Sequence, residues 1–208
     1  LDAEVSLAKY CSLDLSDSNT NIASLEITDP KVCQKYIDSV LRVNKAEIAY
    51  GGYLEKRNIY NNKPSFSEVT NIRNIHLGVD FWAKAGTKVQ TPVSGVVHSF
   101  KNNASIGDYG PTIILKHNIN GFDFYTLYGH LSLESIANLK LGQKFKAGSI
   151  LATLGKVEIN VNYAPHLHFQ IITDLEGKNG DYPGVCSEEN LHFYKNNCPD
   201  PNLILNMN

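Results

Sequence analysis

Short apolar runs separated by glycine dominate the chain from Ile75 to Thr173. Runs such as "SGVVHSF", "PTIILKH", "FDFYTLYGH" and "SILATLG" are rich in β-branched and aromatic residues, with glycines between them. Strands of this kind joined by tight glycine corners are typical of an all-β domain. The run "HLSLESIANL" is the one helical interruption, and Ser132 is suited to cap it. The pattern therefore predicts a mainly β fold over this part of the chain.

The chain before this region has a different pattern. Residues 1–28 are polar and weakly patterned, which predicts an irregular lead-in. The next segment predicts an amphipathic helix over residues 29–43. Asp29 can cap it, Pro30 suits the first helical position, and apolar residues recur at helical spacing. The following segment, "AEIAYGGYLEKRNIY", has a strand-like composition interrupted by a glycine pair.

These changes of pattern divide the chain into three predicted parts. Residues 1–74 form an extension with one helix and a strand-like segment, residues 75–175 form the β domain, and residues 176–208 form a tail packed on that domain. Within the extension, Tyr53 or Arg57 can line the entrance of a groove, or both can belong to a plain structural hairpin.

Composition narrows the class of protein. With 208 residues, 42% hydrophobic and 19% charged, the chain has the composition of a soluble globular protein. Its net charge of −2 and pI near 6.4 give no electrostatic footprint for nucleic acid or an anionic membrane, so neither is an expected partner. No apolar run approaches the roughly 18 residues of a transmembrane helix. The first residues lack a signal-peptide pattern, but the chain begins with Leu1, so a signal already removed is compatible with the sequence. We favour a monomer.

The four cysteines are Cys11, Cys33, Cys186 and Cys198. No two of them have C-x-x-C spacing, which argues against a thiolate zinc site or a thioredoxin-like motif. Cys186 and Cys198 would close the shortest sensible disulfide loop. A disulfide there and buried thiols both remain open.

Four of the seven histidines stand in patterns that can carry chemistry. "YAPHLHF" places His166 and His168 two residues apart, so on a β-strand both would face the same side. "RNIHLGVDFWA" supplies His76 and Asp80, and "LYGHLS" supplies His130. Imidazoles with a carboxylate are an ordinary ligand set for catalytic zinc. From the residues alone, the histidine pair can be two ligands, a ligand beside a base, or two half-buried histidines.

Taken together and in order, H-x-x-x-D, Y-x-H-L and P-H-L-H-F resemble the lysostaphin and LytM-type zinc metalloendopeptidases. The intervening runs "AGTKVQTPVSGVV", "GDYGPTIILKH" and "LKLGQKFKAGSILATLGK" also look like runs of that family, and the resemblance extends from Ile75 to Thr173. It implies a glycine-cornered antiparallel β-sandwich of the LytM/lysostaphin type, barrel-sandwich-like, with a long groove. One departure is Pro111, which follows "GDYG" where many members have asparagine.

Carried over residue by residue, the resemblance implies one Zn²⁺ per chain, bound by His76, Asp80 and His168. It implies that His166 and His130 are the catalytic histidines. The implied reaction is hydrolysis of peptide cross-links or stem peptides of bacterial peptidoglycan through a zinc-activated water. The implied location is the bacterial cell envelope, either periplasmic, secreted or membrane-anchored with the signal removed.

Three other interpretations differ from this one in testable ways. A biotinyl or lipoyl carrier domain needs a modifiable lysine in a motif such as M-K-M or D-K-A, and the sequence has none. A latent enzyme covered by residues 1–74, and a non-catalytic wall-binding or regulatory module of the same fold, are the alternatives to an active peptidase. Of the remaining histidines, His117 matches a position where the family often has histidine and is expected to have a structural role or to support the site rather than to act in catalysis, whereas His98 and His192 are expected to be bystanders.

Overall fold

The structure is a computed structural model that describes residues 1–58, 67–68, 71–105, 107–160 and 163–207. Its strands, in chain order, are β1 Tyr10–Ser12, β2 Ile48–Gly51, β3 Ser67–Glu68, β4 Asn71–Ile72, β5 Ile75–His76, β6 Val79–Trp82, β7 Lys88–Gln90, β8 Gly95–Asn103, β9 Gly110–Ile119, β10 Phe122–Gly129, β11 Lys144–Phe145, β12 Ile150–Thr153, β13 His166–Ile172 and β14 Val185–Cys186. Its helices are α1 Pro30–Asn44, α2 Glu134–Ala137, α3 Leu191–Asn197 and α4 Asn202–Leu205. Within the described ranges, no helix has the length and apolarity that a membrane crossing requires.

Eight strands form one sheet, in the order β1-β2-β6-β13-β10-β9-β8-β11. Among these described strands, β1 pairs with β2 in parallel and the other neighbours pair antiparallel. Three two-stranded pairs, β12-β7, β14-β5 and β3-β4, complete the β structure. The predicted mainly β fold with an N-terminal helix is confirmed, and the parallel β1-β2 pair is the exception to the expected antiparallel pairing.

Both faces of the large sheet are buried at β13, since successive residues of a strand point to opposite faces and every residue of β13 is buried. From β13, Leu167, Phe169 and Ile171 face the main core, where Val89 of β7 and Leu151 of β12 pack against them. The alternate residues of β13 face the opposite side. The chemistry-bearing side chains of β13 therefore stand on a strand whose other face is fixed in the core.

Helix α1 begins as its sequence predicts. The Asp29 carboxylate accepts hydrogen bonds from the backbone N–H groups of Lys31 and Val32, at 2.8 and 3.1 Å, and Pro30 is the first helical residue. These contacts satisfy donors that would otherwise lack a partner at the helix start. The prediction of a helix over residues 29–43 is confirmed.

The first 28 residues are not an irregular lead-in throughout. Tyr10–Ser12 forms strand β1, and Leu13 and Leu15 are buried in an apolar cluster with Trp82 of β6 and Cys33 of α1. The expectation was wrong because a strand of three residues is too short to show an alternating pattern. Backbone pairing with β2 defines this strand.

The predicted extension and tail both pair with strands of the β domain. β2 pairs with β6, which extends the large sheet with residues from the extension, and β14 of the tail pairs with β5. Whether the three predicted parts fold as separate units stays a prediction.

Cys186 and Cys198 are buried free thiols in the structure, so the disulfide considered between them is not formed. Burial raises the pKa of the Cys186 thiol to about 11 and that of the Cys198 thiol to about 12. Both thiols are therefore protonated at neutral pH and are poor nucleophiles.

Candidate metal and catalytic site

Strands β6 and β13 create the site through their register. Asp80 lies beside His168 in the antiparallel pair, and Trp82 lies beside His166. Residues two apart on a strand share a face, so these four side chains stand together on the face opposite the main core. The histidine spacing of two thus has the geometric consequence that the sequence predicts.

Three side chains meet closely enough to share one metal ion. His76 Nε2 lies 2.8 Å from His168 Nδ1, and Asp80 Oδ1 lies 3.2 Å from the former and 3.1 Å from the latter. All three residues are buried. Two imidazole nitrogens and one carboxylate oxygen suit a zinc ion that keeps a further coordination position open. The structure thus brings together the three residues predicted as ligands, and these atoms can hold a metal.

Hydrogen bonds select the nitrogen that each histidine presents to this cluster. His76 Nδ1 donates to the carbonyl of Gly52 at 2.9 Å, which leaves its Nε2 as the lone-pair atom. His168 Nε2 donates to Gln170 Oε1 at 2.9 Å, which leaves its Nδ1. Partners of this kind orient metal-binding imidazoles and fix their tautomers. Gln170 was not predicted from the sequence, although its position two residues after His168 on the same strand was a usable signal.

The charge states in the cluster also favour a cation. Burial, and then the charge of Arg57, lowers the pKa of His76 to about 4. Burial raises the pKa of Asp80, but its interactions with His76, Arg57 and His168 outweigh burial and hold this pKa well below its ordinary value. The cluster is therefore a carboxylate beside a neutral imidazole at neutral pH, the forms that bind metals.

His166 lies next to this cluster with a defined tautomer. Its Nδ1 donates to the carbonyl of Ala164 at 2.7 Å, so Nε2 is the nitrogen that can accept a proton. Its ring stacks on Trp82, with centroids 5.8 Å apart. Burial lowers the pKa of His166, which keeps the imidazole neutral at pH 7.

His130 has a backbone conformation that is unusual for a residue with a side chain. Its φ is 62°, in the left-handed region, where a non-glycine residue costs of order 1 kcal/mol or more. Backbone hydrogen bonds hold it there, from His130 N to Tyr109 O at 2.7 Å and from Gly155 N to His130 O at 3.0 Å. Burial, and then the neighbouring His166, lowers the pKa of His130 well below its ordinary value. The fold therefore holds a neutral imidazole beside His166.

All five predicted site residues line one cavity of about 280 Å³. Leu15, Cys33 and Trp82 form part of its apolar wall. Arg57 also lines the cavity, whereas Tyr53 is absent from the described lining and donates a hydrogen bond to the carbonyl of Cys198 at 2.9 Å. The remaining charged residues of the described lining are Arg73, Asp108, Lys178 and Asp181.

The other histidines lie outside the described cavity wall. His117 is hydrogen-bonded to the Ser94 carbonyl and the Thr126 hydroxyl, and its ring stacks on Phe124. These contacts are structural, as expected for His117. His98 contacts Ser99 and the ring of Tyr125, away from the site.

The family model described as "Peptidase family M23" matches residues 74–181, slightly more than half of the chain. The chain therefore belongs to peptidase family M23. This match confirms the resemblance to lysostaphin and LytM-type enzymes that the motifs carry.

Curated relatives and solved structures are similar to parts of the chain. The "DD-carboxypeptidase/endopeptidase Mpg" of Neisseria meningitidis serogroup B is 32% identical over 96 residues, which is 46% of this chain and 20% of that protein. The chain thus spans about a fifth of the length of the curated relatives it matches. The catalytic domain of lysostaphin from Staphylococcus simulans is 30% identical over 59% of this chain and 80% of that domain, with a TM-score of 0.40. The catalytic domain of the prophage-encoded M23 protein EnpA from Enterococcus faecalis is 23% identical, covering 58% of this chain and 98% of that chain, with a TM-score of 0.41.

Proposed function

We propose that this protein is a zinc-dependent peptidase that hydrolyses peptide bonds of bacterial peptidoglycan in the cell envelope. The observation that supports this most strongly is the placement of the His76–Asp80–His168 cluster and the two histidines His130 and His166 around one cavity. Family membership supports the peptidase reaction. The peptidoglycan substrate and the envelope location rest on the resemblance to cell-wall hydrolases.

The donor atoms fit the proposed ion. Two buried imidazoles with fixed tautomers and one buried carboxylate offer three ligand atoms within 4.8 Å of one another. Zinc bound by such a set supplies a Lewis acid that polarises a carbonyl and makes water nucleophilic near neutral pH. Proton transfer and stabilisation of the developing negative charge are then carried out by the side chains around the cluster.

In this proposal His166 accepts the proton of the attacking water. Its Nδ1 is committed to Ala164, so the proton is received at Nε2. A neutral imidazole suits this step because the ordinary pKa of histidine, about 6.5, lies close to neutral pH, so the group is unprotonated and can still accept a proton. Stacking on Trp82 holds the ring plane while the proton moves.

His130 has the complementary task in this proposal. Its ring lies against that of His166, so both histidines reach the same reacting group. A hydrogen bond from His130 to the oxyanion of the tetrahedral intermediate stabilises charge that is absent from the substrate. Because two positive imidazoles at this distance repel each other, one proton at a time resides on the pair.

A latent form of the same enzyme is the second candidate. Leu15 and Cys33, both from the predicted extension, lie in the cavity wall beside the catalytic residues. In a latent enzyme an asparagine side chain could take the place of water at the metal, and none of the described lining residues is an asparagine. The N-terminal residues therefore shape the cavity in this proposal, and activity of the intact chain decides between the two candidates.

Purified peptidoglycans with different cross-links test the proposal. The zinc-loaded protein is incubated with walls carrying glycine bridges and with walls carrying D-alanine–diaminopimelate cross-links, and the released muropeptides are identified by mass spectrometry. We expect cleavage of at least one type, lost on chelation and restored by zinc. Absence of cleavage with every wall, by a folded protein that holds zinc, would contradict the proposal for the intact chain.

A further inference from the structure

We propose that Arg57 is a positioning residue for the metal site, which holds Asp80 so that only one of its carboxylate oxygens faces the metal. Arg57 lies outside the residues that match the family model, which begin at residue 74. The inference rests on the proposed function, because it assumes that His76, Asp80 and His168 bind a metal.

Arg57 is fixed on three sides within the cavity wall. Its Nη1 donates to Asp80 Oδ2 at 2.6 Å, and its Nε donates to Glu55 Oε2 at 2.5 Å. The guanidinium carbon lies 5.5 Å from the centre of the Trp82 ring. The Arg57 side chain is 3% exposed. A planar guanidinium with carboxylates on two edges and an aromatic ring on its face has little freedom to rotate.

The two oxygens of Asp80 have different partners as a result. Oδ1 lies 3.2 Å from His76 Nε2 and 3.1 Å from His168 Nδ1, within the cluster that can hold a metal. Oδ2 is bound to Arg57. This division leaves one oxygen for the metal and prevents the carboxylate from rotating to present both. Bidentate binding by Asp80 would use coordination space that an open catalytic site needs.

The backbone that carries Arg57 is attached to the backbone that carries His76. Arg57 N donates to Asn74 O at 2.9 Å, and His76 N donates to Glu55 O at 2.9 Å. Gly52 completes this arrangement with a φ of 105°, and a Cβ there would lie 1.9 Å from Arg57 Nη2. Gly52 thus leaves the space that the guanidinium occupies while its carbonyl accepts from His76.

Positioning and simple electrostatics predict opposite outcomes for Arg57 variants. A guanidinium beside a cation site repels the cation, and the adjacent Glu55 offsets part of that charge. If charge were the only effect, Arg57→Met would tighten zinc binding and Arg57→Lys would leave it unchanged. If Arg57 positions Asp80, both variants weaken zinc binding. Methionine cannot hydrogen-bond Asp80, and the single ammonium group of lysine cannot span Glu55 and Asp80 as the planar guanidinium does.

The test measures the zinc dissociation constant of the full chain by competition with a chromophoric chelator. We expect Arg57→Lys and Arg57→Met to weaken binding about 10- to 100-fold, the usual effect of losing a hydrogen-bond partner of a metal ligand. The visible absorption bands of Co²⁺ bound in place of zinc depend on coordination geometry. We therefore expect these bands to differ between the parent protein and both Arg57 variants. Lys56→Met, at the exposed neighbouring position, is the matched control and should change neither. Unchanged or tighter zinc binding in Arg57→Lys, with an unchanged cobalt spectrum, would overturn the proposal.

Gly52→Ala provides a second test that leaves Arg57 in the sequence. The added methyl group must displace the guanidinium, but it also comes within 3.0 Å of His76 Nδ1 at a φ of 105°, so weaker zinc binding supports the proposal only together with a loss in Arg57→Lys. If Arg57→Met does not fold, Arg57→Lys decides the outcome. Since these readouts need no substrate, weakened zinc binding without any peptidoglycan cleavage by the parent protein would uphold Arg57 and refute the proposed substrate.

Discussion

The imidazole rings of His130 and His166 lie in contact, with centroids 4.1 Å apart. His166 begins β13, whereas His130 directly follows β10, the neighbouring strand. Burial lowers the pKa of both side chains. The fold thus holds two neutral proton carriers side by side at the edge of a three-residue cluster that can bind a metal. This arrangement separates metal binding from proton transfer.

Acid should destabilise the metal-free protein. Burial and the charge of Arg57 hold the folded-state pKa of His76 at about 4, below the ordinary value of 6.5. Between these values the unfolded chain binds a proton that the folded chain does not, so the free energy of unfolding falls as the pH is lowered through this range, by a few kcal/mol. Asp80, whose pKa is also lowered, acts in the same direction at lower pH.

Urea unfolding of the metal-free protein at pH 7.5 and pH 5 measures this effect. His76→Gln should reduce the difference between the two pH values, whereas His192→Gln, at an exposed position, should leave it unchanged. A free energy of unfolding that is independent of pH over this range would contradict the account of His76.

Gln170→Met should weaken zinc binding about 10- to 100-fold while leaving the chain folded. Gln170 Oε1 accepts the hydrogen bond that fixes the tautomer of His168, and methionine offers no comparable acceptor at similar volume. Competition with a chelator measures the loss. Gln90→Met, at a partly exposed position outside the cavity wall, is the control, and an equal loss in both variants would argue against a specific role for Gln170.

Gly78→Ala should also impair zinc binding. A Cβ at this position would lie 2.8 Å from the ring of His168 and 2.6 Å from the carbonyl oxygen of Phe169, so the ligand must move. Gly86→Ala adds the same methyl group where no atom lies within 4 Å, so it is the control for a glycine substitution that meets no ligand. Zinc titration of both variants should show a loss only for Gly78→Ala. Normal zinc affinity in that variant would show that the cluster tolerates movement of His168.

Leu15→Ala should lower the free energy of unfolding by about 3 kcal/mol, the usual effect of truncating a buried leucine. Leu15 is 2% exposed and packs with Trp82 and Cys33 in the wall of the cavity. Leu7→Ala is the control, because Leu7 is 67% exposed. Equal unfolding midpoints in urea for the two variants would mean that the first residues are dispensable for the fold.

The sequence predicted the β domain and helix α1 because each rests on a local pattern, whereas the roles of the five principal site residues were implied by the resemblance to known peptidases. Strand spacing places His166 and His168 on one face, and the capping signals of Asp29 and Pro30 define the start of a helix. The sequence did not predict β1, because a three-residue parallel strand depends on pairing with distant residues.

The contact between Arg57 and Asp80 was also beyond the sequence alone. It depends on β2, β5 and β6 coming together, and the sequence left open whether Arg57 lines the site or belongs to a plain hairpin. The partners of a buried charged group are set by tertiary packing, which residue spacing does not encode.

The most direct test of the proposed metal and catalytic roles measures zinc content and peptidoglycan hydrolysis in four variants, each with one histidine replaced. The account predicts that His76→Ala and His168→Ala lose zinc and activity, because each removes a ligand. His130→Ala and His166→Ala should keep about one zinc per chain and lose activity by roughly 10² to 10⁴, the usual contribution of proton transfer and oxyanion stabilisation. Two results would contradict this assignment of ligands and catalytic histidines. One is that His168→Ala keeps zinc while His166→Ala loses it, and the other is that all four variants hydrolyse peptidoglycan as well as the parent protein.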